Sequence, residues 1–237
     1  MGREQTSYNN YLLQLKDCEL IHEMNLKSAE SFFSLFHEET WPKHSCILNH
    51  EKLFYHFYII LSGRIKMYQV DPINGKELTL FLLTKNDVFD LFCLLDGTRH
   101  DAYYECLDEA KVLAAPMSEL RKWLKENPEN YQKILPYAGK QLRMLEDFVS
   151  DITFTDIDTR LLHLLLKNVN KKSKNLELIN DLSNTEIANL IGSTRAVVNR
   201  HLQKLKQLGS IKISRKKMEI KNLKLLINLF GNKNKYK

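Results

Sequence analysis

Four cysteines in 237 residues, none in C-x-x-C spacing, leave no disulfide framework or zinc knuckle to hold this chain together. No apolar run approaches the roughly 18 residues that a membrane-spanning helix requires. The N-terminus, MGREQTSYNN, lacks the apolar segment of a signal peptide, which points to the cytoplasm. A Gly-rich phosphate loop, a G-x-S-x-G nucleophile motif and an internal repeat are all missing. Low complexity is confined to the terminal lysines. The 43% apolar content excludes a wholly disordered chain, because disorder needs low hydrophobicity together with high net charge.

The net charge of +6 is modest, but its distribution is not. From Asp156 onward there are 18 Lys+Arg and 6 Asp+Glu, a local +12; the first 155 residues hold 17 and 23, a local −6. An acidic half joined to a basic half suggests a domain with another task linked to one that binds nucleic acid.

Apolar spacing predicts helix over residues 7–37, through Tyr11, Leu12, Leu15, Leu20, Phe32, Phe33, Leu35 and Phe36. Short runs then alternate with turn signals. The predicted strands are Ile47-Leu48, Phe54–Leu61, Ile65–Val70, Leu78–Leu83, Val88–Leu91, Ala102–Cys106 and Val112–Ala114. Asn74-Gly75 marks a hairpin, since both residues tolerate positive φ. Many short strands with regular turns imply a small barrel or roll over about residues 41–116.

Helical period returns with Tyr131, Leu135, Ala138, Leu142, Leu145, Val149 and Ile152, an alternation of four and three. That narrow seam is the pattern of a helix that packs along a partner; a second copy of itself suits it better than its own roll, which is the alternative. Pro136 should kink or restart the helix. Thr155-Asp156 can cap a further helix carrying Ile157, Leu161, Leu162, Leu164 and Leu165.

The segment SNTEIANLIGSTRAVVNRHLQKLKQLG, residues 183–209, is the most informative. Ser183 and Glu186 form a capping box. Gly192 supplies a tight turn and Ser193 can cap the second helix. Val197, Val198, Leu202, Leu205 and Leu208 are expected to face inward, and Gly209 to end the helix. Thr194, Arg195, Asn199, Arg200 and Lys204 lie opposite. These features define a helix-turn-helix whose second helix, 194–208, can enter a DNA major groove. Arg195 and Arg200, then Asn199, are the residue types that read guanine and adenine edges bidentately. Beyond it, Ile211–Ile213 and Met218–Ile220 flank Arg215, Lys216 and Lys217, a basic wing suited with Lys204 to phosphate.

The order of these parts resembles the Crp/Fnr family of bacterial transcription regulators along nearly the whole chain. LSGRIKMY and NDVFD look like the family's β-roll, and SELRKWLKENPENY like the turn into its dimer helix. TEIANLIGSTRAVVNRHLQKLKQLG looks like its DNA-binding unit. The resemblance implies an α+β protein: N-terminal helices (1–40), a cyclic-nucleotide-binding-like jelly roll (41–127), a dimerisation helix (128–153) and a winged helix-turn-helix (154–237). It implies an effector-gated homodimer on a two-fold symmetric double-stranded DNA site, with RNA polymerase as a further partner. An Arg-Glu-x-x-x-Arg recognition triad falls at Arg195, Ala196 and Arg200, so the acidic member is missing.

The effector side departs further. The family's Gly-Glu and Arg-Ser phosphate-binding pairs fall at Asp90-Leu91 and His100-Asp101, with Arg99 able to substitute only after a one-residue slip. Two carboxylates facing a phosphate repel it, and Leu145-Glu146 stands where adenine is held, so cyclic AMP is not expected. Cys18 stands alone where oxygen-sensing members cluster cysteines, so an Fe–S cluster is not expected either. Haem stays open through His22, His37, His44, His50, His56 and His100. Thiol sensing by Cys46, Cys93 or Cys106, and a small organic ligand beside residues 90–102 and Leu145, stay open too. A constitutive regulator with a scaffold roll is one alternative. A cupin-type enzyme is another, but His56 has no His-x-His partner and no metal site is expected.

Overall fold

The computed structural model describes residues 10–21, 24–47, 55–99, 102–170, 173, 175–214 and 217–234. They form two compact units. One comprises residues 1–69 and 81–145, the other residues 70–80 and 146–237.

In the first unit, a helical turn at 10–14 and helix α1 (Leu26–Phe33) precede two four-stranded antiparallel sheets. The Asn25 side chain caps α1 by accepting from the Ser28 amide at 2.9 Å. The strands are β1 (His37–Trp41), β2 (Cys46–Ile47), β3 (His56–Ser62), β4 (Ile65–Val70), β5 (Glu77–Leu83), β6 (Val88–Phe89), β7 (Tyr103–Cys106) and β8 (Ala110–Pro116). One sheet runs β1-β8-β3-β6, the other β2-β7-β4-β5. The β-roll is thus present, and the expected helix over 7–37 is interrupted, since residues 15–21, with Leu15 and Leu20, run through turns. Two further positions differ from expectation. His37, read as the end of a helix, opens β1, whose charged HEETW sequence hides its pairing with β8. The run Val88–Leu91 is split: the strand ends at Phe89, and Leu91 begins helix α2 (Leu91–Asp96).

β3 is buried on both faces, so its sequence shows a continuous apolar run rather than alternation. Phe57, Ile59 and Leu61 face a core built with Leu15, Phe33, Leu113, and Leu120 and Trp123 of helix α3 (Met117–Glu126). Trp123 Nε1 donates to Ser31 Oγ at 2.9 Å, tying α3 to α1. Gly63, at φ 88°, turns β3 into β4; an added Cβ would lie 2.6 Å from the Glu109 carbonyl oxygen.

Helix α4 (Tyr131–Phe154) runs unbroken through Pro136, which neither ends nor restarts it. The heptad residues divide into two rows. Leu135, Leu142 and Val149 are 57%, 54% and 61% exposed, whereas Ala138, Leu145 and Ile152 are half-buried. Tyr131 and Ala138 pack on the core of the first unit. Ile152 turns instead toward its own C-terminal unit, where its Cδ1 would lie 3.3 Å from a Cβ placed on Gly192.

The second unit contains α5 (Ile157–Asn168), α6 (Asn184–Leu190), α7 (Arg195–Gln207), β9 (Ile211–Ser214), β10 (Lys217–Ile220) and α8 (Leu223–Asn234). The Asp156 side chain caps α5 by accepting from the Thr159 amide at 2.8 Å. Leu161, Leu162 and Leu165 of α5 are buried, as are Ile187, Val198, Leu202, Leu205 and Leu226. Among the described residues, no helix is long and apolar enough to cross a membrane.

Candidate nucleic-acid interface

α6 and α7 form the helix-turn-helix. The capping box is complete: the Ser183 amide donates to Glu186 Oε2 at 2.6 Å and the Glu186 amide to Ser183 Oγ at 3.2 Å. Gly192 holds the turn at φ 63°. The cap of α7 is Thr194, whose Oγ1 accepts from the Val197 amide at 3.4 Å. Ser193, expected in that role, is only 7% exposed. Its side-chain oxygen has no hydrogen-bond partner among the described residues. It therefore lies beneath the surface on which it was expected.

Val198, Leu202 and Leu205 anchor α7, each contributing about 1.5–3 kcal/mol through burial. The helix ends in a Schellman motif: the Gly209 amide donates to the Lys206 carbonyl and the Ser210 amide to that of Leu205. Gly209 is left-handed at φ 74°, as expected. Leu208 is not: it was expected inside, but at the C-cap it turns out of the apolar stripe and is exposed.

The opposite face of α7 exposes Arg195, Ala196, Asn199, Arg200, Gln203 and Lys204. Among the described residues neither arginine forms an ion pair, so both guanidinium groups keep their donors for a ligand. Asn184 Nδ2 donates to Asn199 Oδ1 at 3.1 Å, bringing α6 into the same surface. Gln203 and Asn184 escaped the sequence reading. Gln203 continues the four-residue step from Arg195 and Asn199 and could have been found that way; Asn184 needed the crossing of two helices. On the flank of α7, His201 Nδ1 lies against the Asp158 carboxylate of α5, and Lys204 Nζ lies 3.9 Å from the same carboxylate.

β9 and β10 pair antiparallel in the expected wing, with Lys217 opposite Ser214. Arg215 and Lys216 lie outside the described residues. Lys217 Nζ is 2.7 Å from Glu219 Oε1, and that hydrogen bond holds the Glu219 carboxyl below its ordinary range. Lys217 is therefore partly neutralised before any phosphate arrives.

Inside the roll, Asp90 is buried at a left-handed φ of 62°, and Tyr104 Oη donates to its Oδ1 at 3.0 Å. Burial, with the neighbouring Asp90 charge, pushes the Tyr104 hydroxyl well above its usual range. Tyr58 stacks on Phe89 at 4.7 Å and Phe89 contacts Tyr104 at 5.0 Å, filling the space between the sheets. The cavity left there measures about 20 Å³, room for one water. Asp90 and Leu91 line it, with Gln141 of α4. Leu145 and Arg99 do not, and His100 and Asp101 lie outside the described residues.

Of the histidines, His22 and His50 also lie outside the described residues. His37 is 3.0 Å from Glu39 Oε1 and His44 is 3.5 Å from Glu105 Oε1. The rings of His56 and His37 are 6.3 Å apart. None of the described histidines lines the cavity.

Comparison with known proteins agrees with this layout. Residues 38–127 match the cyclic nucleotide-binding domain and residues 159–229 the Crp-like helix-turn-helix domain. The global nitrogen regulator of a Nostoc species is 30% identical, over 69% of this chain and 75% of its own length. The CRP-like cAMP-activated global transcriptional regulator of Mycobacterium tuberculosis is 28% identical, over 69% of this chain and 74% of that protein. The structure of the c-di-GMP-responsive global regulator CLP of Xanthomonas campestris superposes with a TM-score of 0.71 at 16% identity. It covers 83% of this chain and 99% of that one.

Proposed function

The chain belongs to the Crp/Fnr family of DNA-binding transcription regulators, and from that premise we propose that it works as an effector-gated homodimer on a two-fold symmetric operator. The observation that carries the reading is the exposed face of α7, where Arg195, Asn199 and Arg200 stand over a buried stripe. Two such helices about 34 Å apart would meet successive major grooves on one side of the duplex. The exposed row Leu135, Leu142 and Val149 supports the dimer, because seven-residue spacing of large apolar groups suits a helical partner. Ala196 in place of an acid removes the group that would accept from cytosine N4, so the half-site differs there from that of Arg-Glu-x-x-x-Arg members. RNA polymerase is the partner through which DNA binding would act on transcription, in the cytoplasm.

The effector is not cyclic AMP on this reading. The buried Asp90 carboxylate would meet the cyclic phosphate with like charge, in a space already occupied by Tyr58, Phe89 and Tyr104. The same filling favours a second reading, a constitutive regulator whose roll is a scaffold. Operator affinity unchanged by haem, nucleotides, oxidants and reductants would select it.

The decisive experiment is Arg200→Ala with a panel of operators bearing single base changes. Loss of about 1–3 kcal/mol of discrimination at one base pair per half-site is expected. Equal losses on operator and random DNA would reject base reading. Leu142→Asp should yield monomers in sedimentation and weaken operator binding.

A further inference from the structure

We propose that a cleft between the last turns of α4, the outer face of α5 and the end of α6 binds a small organic anion, a carboxylate or phosphate on a compact apolar body. Arg160, His163 and Lys167 recur along one face of α5 and line this cleft. Its apolar wall includes Phe148, Ile152 and Leu190. The cavity measures about 90 Å³, several waters in size, which admits a charged group and a few carbons.

The electrostatics lack an anion. Asp151 is the acidic residue lining the cleft, and its Oδ2 already lies 3.1 Å from His163 Nδ1. Among the described residues, Arg160 and Lys167 form no ion pair. The Arg160 Nε is buried and has no hydrogen-bond partner among them. A buried guanidinium donor without an acceptor is unfavourable. An oxyanion in the cleft would pair with the Arg160 guanidinium, and the exposed Lys167 would add a second charge. The apolar wall selects against inorganic phosphate alone and in favour of a ligand with a hydrocarbon part.

Occupancy would tie α4 to α5 and α6 beside the turn that presents α7. Arg160 Nη1 and Ile152 Cδ1 each sit 3.3 Å from where a Cβ on Gly192 would stand, so the cleft wall abuts that turn directly. The site needs neither a dimer nor DNA.

The test is calorimetric titration of the full chain with benzoate, inorganic phosphate and the neutral isostere benzamide. Benzoate should bind saturably with Kd on the order of 1 mM or tighter. Phosphate should be weaker, and benzamide weaker by about tenfold or more. Arg160→Gln and Lys167→Gln should each weaken benzoate about tenfold, with Lys167, an exposed residue, providing a variant that leaves the fold intact. No saturable benzoate binding, equal binding of benzamide, or benzoate affinity unchanged in both variants would overturn the proposal. So would variants that lose affinity for random DNA and flatten its salt dependence while benzoate is unaffected, since the cations would then serve DNA phosphates.

Discussion

Asn184 Nδ2 donates to Asn199 Oδ1 at 3.1 Å, so the first residue of α6 holds the amide of a base-reading candidate on α7. One lone pair of the Asn199 carbonyl is occupied before DNA arrives, and its amide protons are aimed by that bond. Asn184→Ala should free this rotamer and change discrimination at the base opposite Asn199 by about 0.5–1.5 kcal/mol. Binding to random DNA should hardly move. Competition assays with substituted operators measure both, and an equal effect on both would assign Asn184 to phosphate contact.

The start of α7 separates two neighbouring hydroxyls. Thr194 caps the helix, and Thr194→Ala should cost about 1 kcal/mol. The Ser193 hydroxyl is buried with no hydrogen-bond partner among the described residues, so Ser193→Ala should be neutral or slightly stabilising. Denaturant melts of the two variants check the order, and a larger loss at Ser193 would contradict the assignment.

Thiol chemistry should be confined to one position. Cys18, Cys93 and Cys106 are buried, and burial pushes the Cys18 thiol up to about 11 and raises that of Cys106. At pH 8 about one Cys18 in a thousand would be thiolate. Cys46 is exposed, 3.4 Å from the Tyr68 hydroxyl. Iodoacetamide should label Cys46 quickly and the others only after unfolding. Mass mapping that finds Cys93 or Cys106 first would reinstate them as sensors.

Asp87 carries a pH dependence of definite sign. Its Oδ2 accepts from the Thr84 amide at 2.8 Å, but burial raises its carboxyl above the ordinary 3.8, against the pull of Lys140. A native state that holds the proton more tightly loses stability as pH rises from about 4 through the raised value. Asp87→Asn keeps an acceptor for Thr84 and removes this loss. The variant should melt higher than the parent at pH 7, with the gap closing as pH falls toward 4. A gap independent of pH would exclude the carboxyl as its cause.

Much of the reader was legible because its determinants are local. The capping box, the Gly192 turn, the Gly209 terminus and the polar face of α7 each depend on residues within a turn or two of one another. β1 was not legible, since HEETW is charged and becomes a strand only by pairing with β8, about 70 residues away. Ser193 and Thr194 are equally good caps on paper; the depth of the turn sends one inward. Pro136 looked like a break, yet α4 continues through it, anchored on either side by Ile134 and Tyr137 in the core.

The scarcity of cysteine, the lack of long apolar runs and the charge divide near residue 155 are properties of the chain alone. With the helix-turn-helix spacing, they determined the kind of protein this is, because helix caps and hydrophobic period act over short distances. Which carboxylate the roll would bury, which half of the heptad row stays exposed, and that Arg160 and Lys167 share a cleft were decided only by tertiary structure. Those outcomes depend on which distant surfaces close over one another, and no spacing along the chain encodes that.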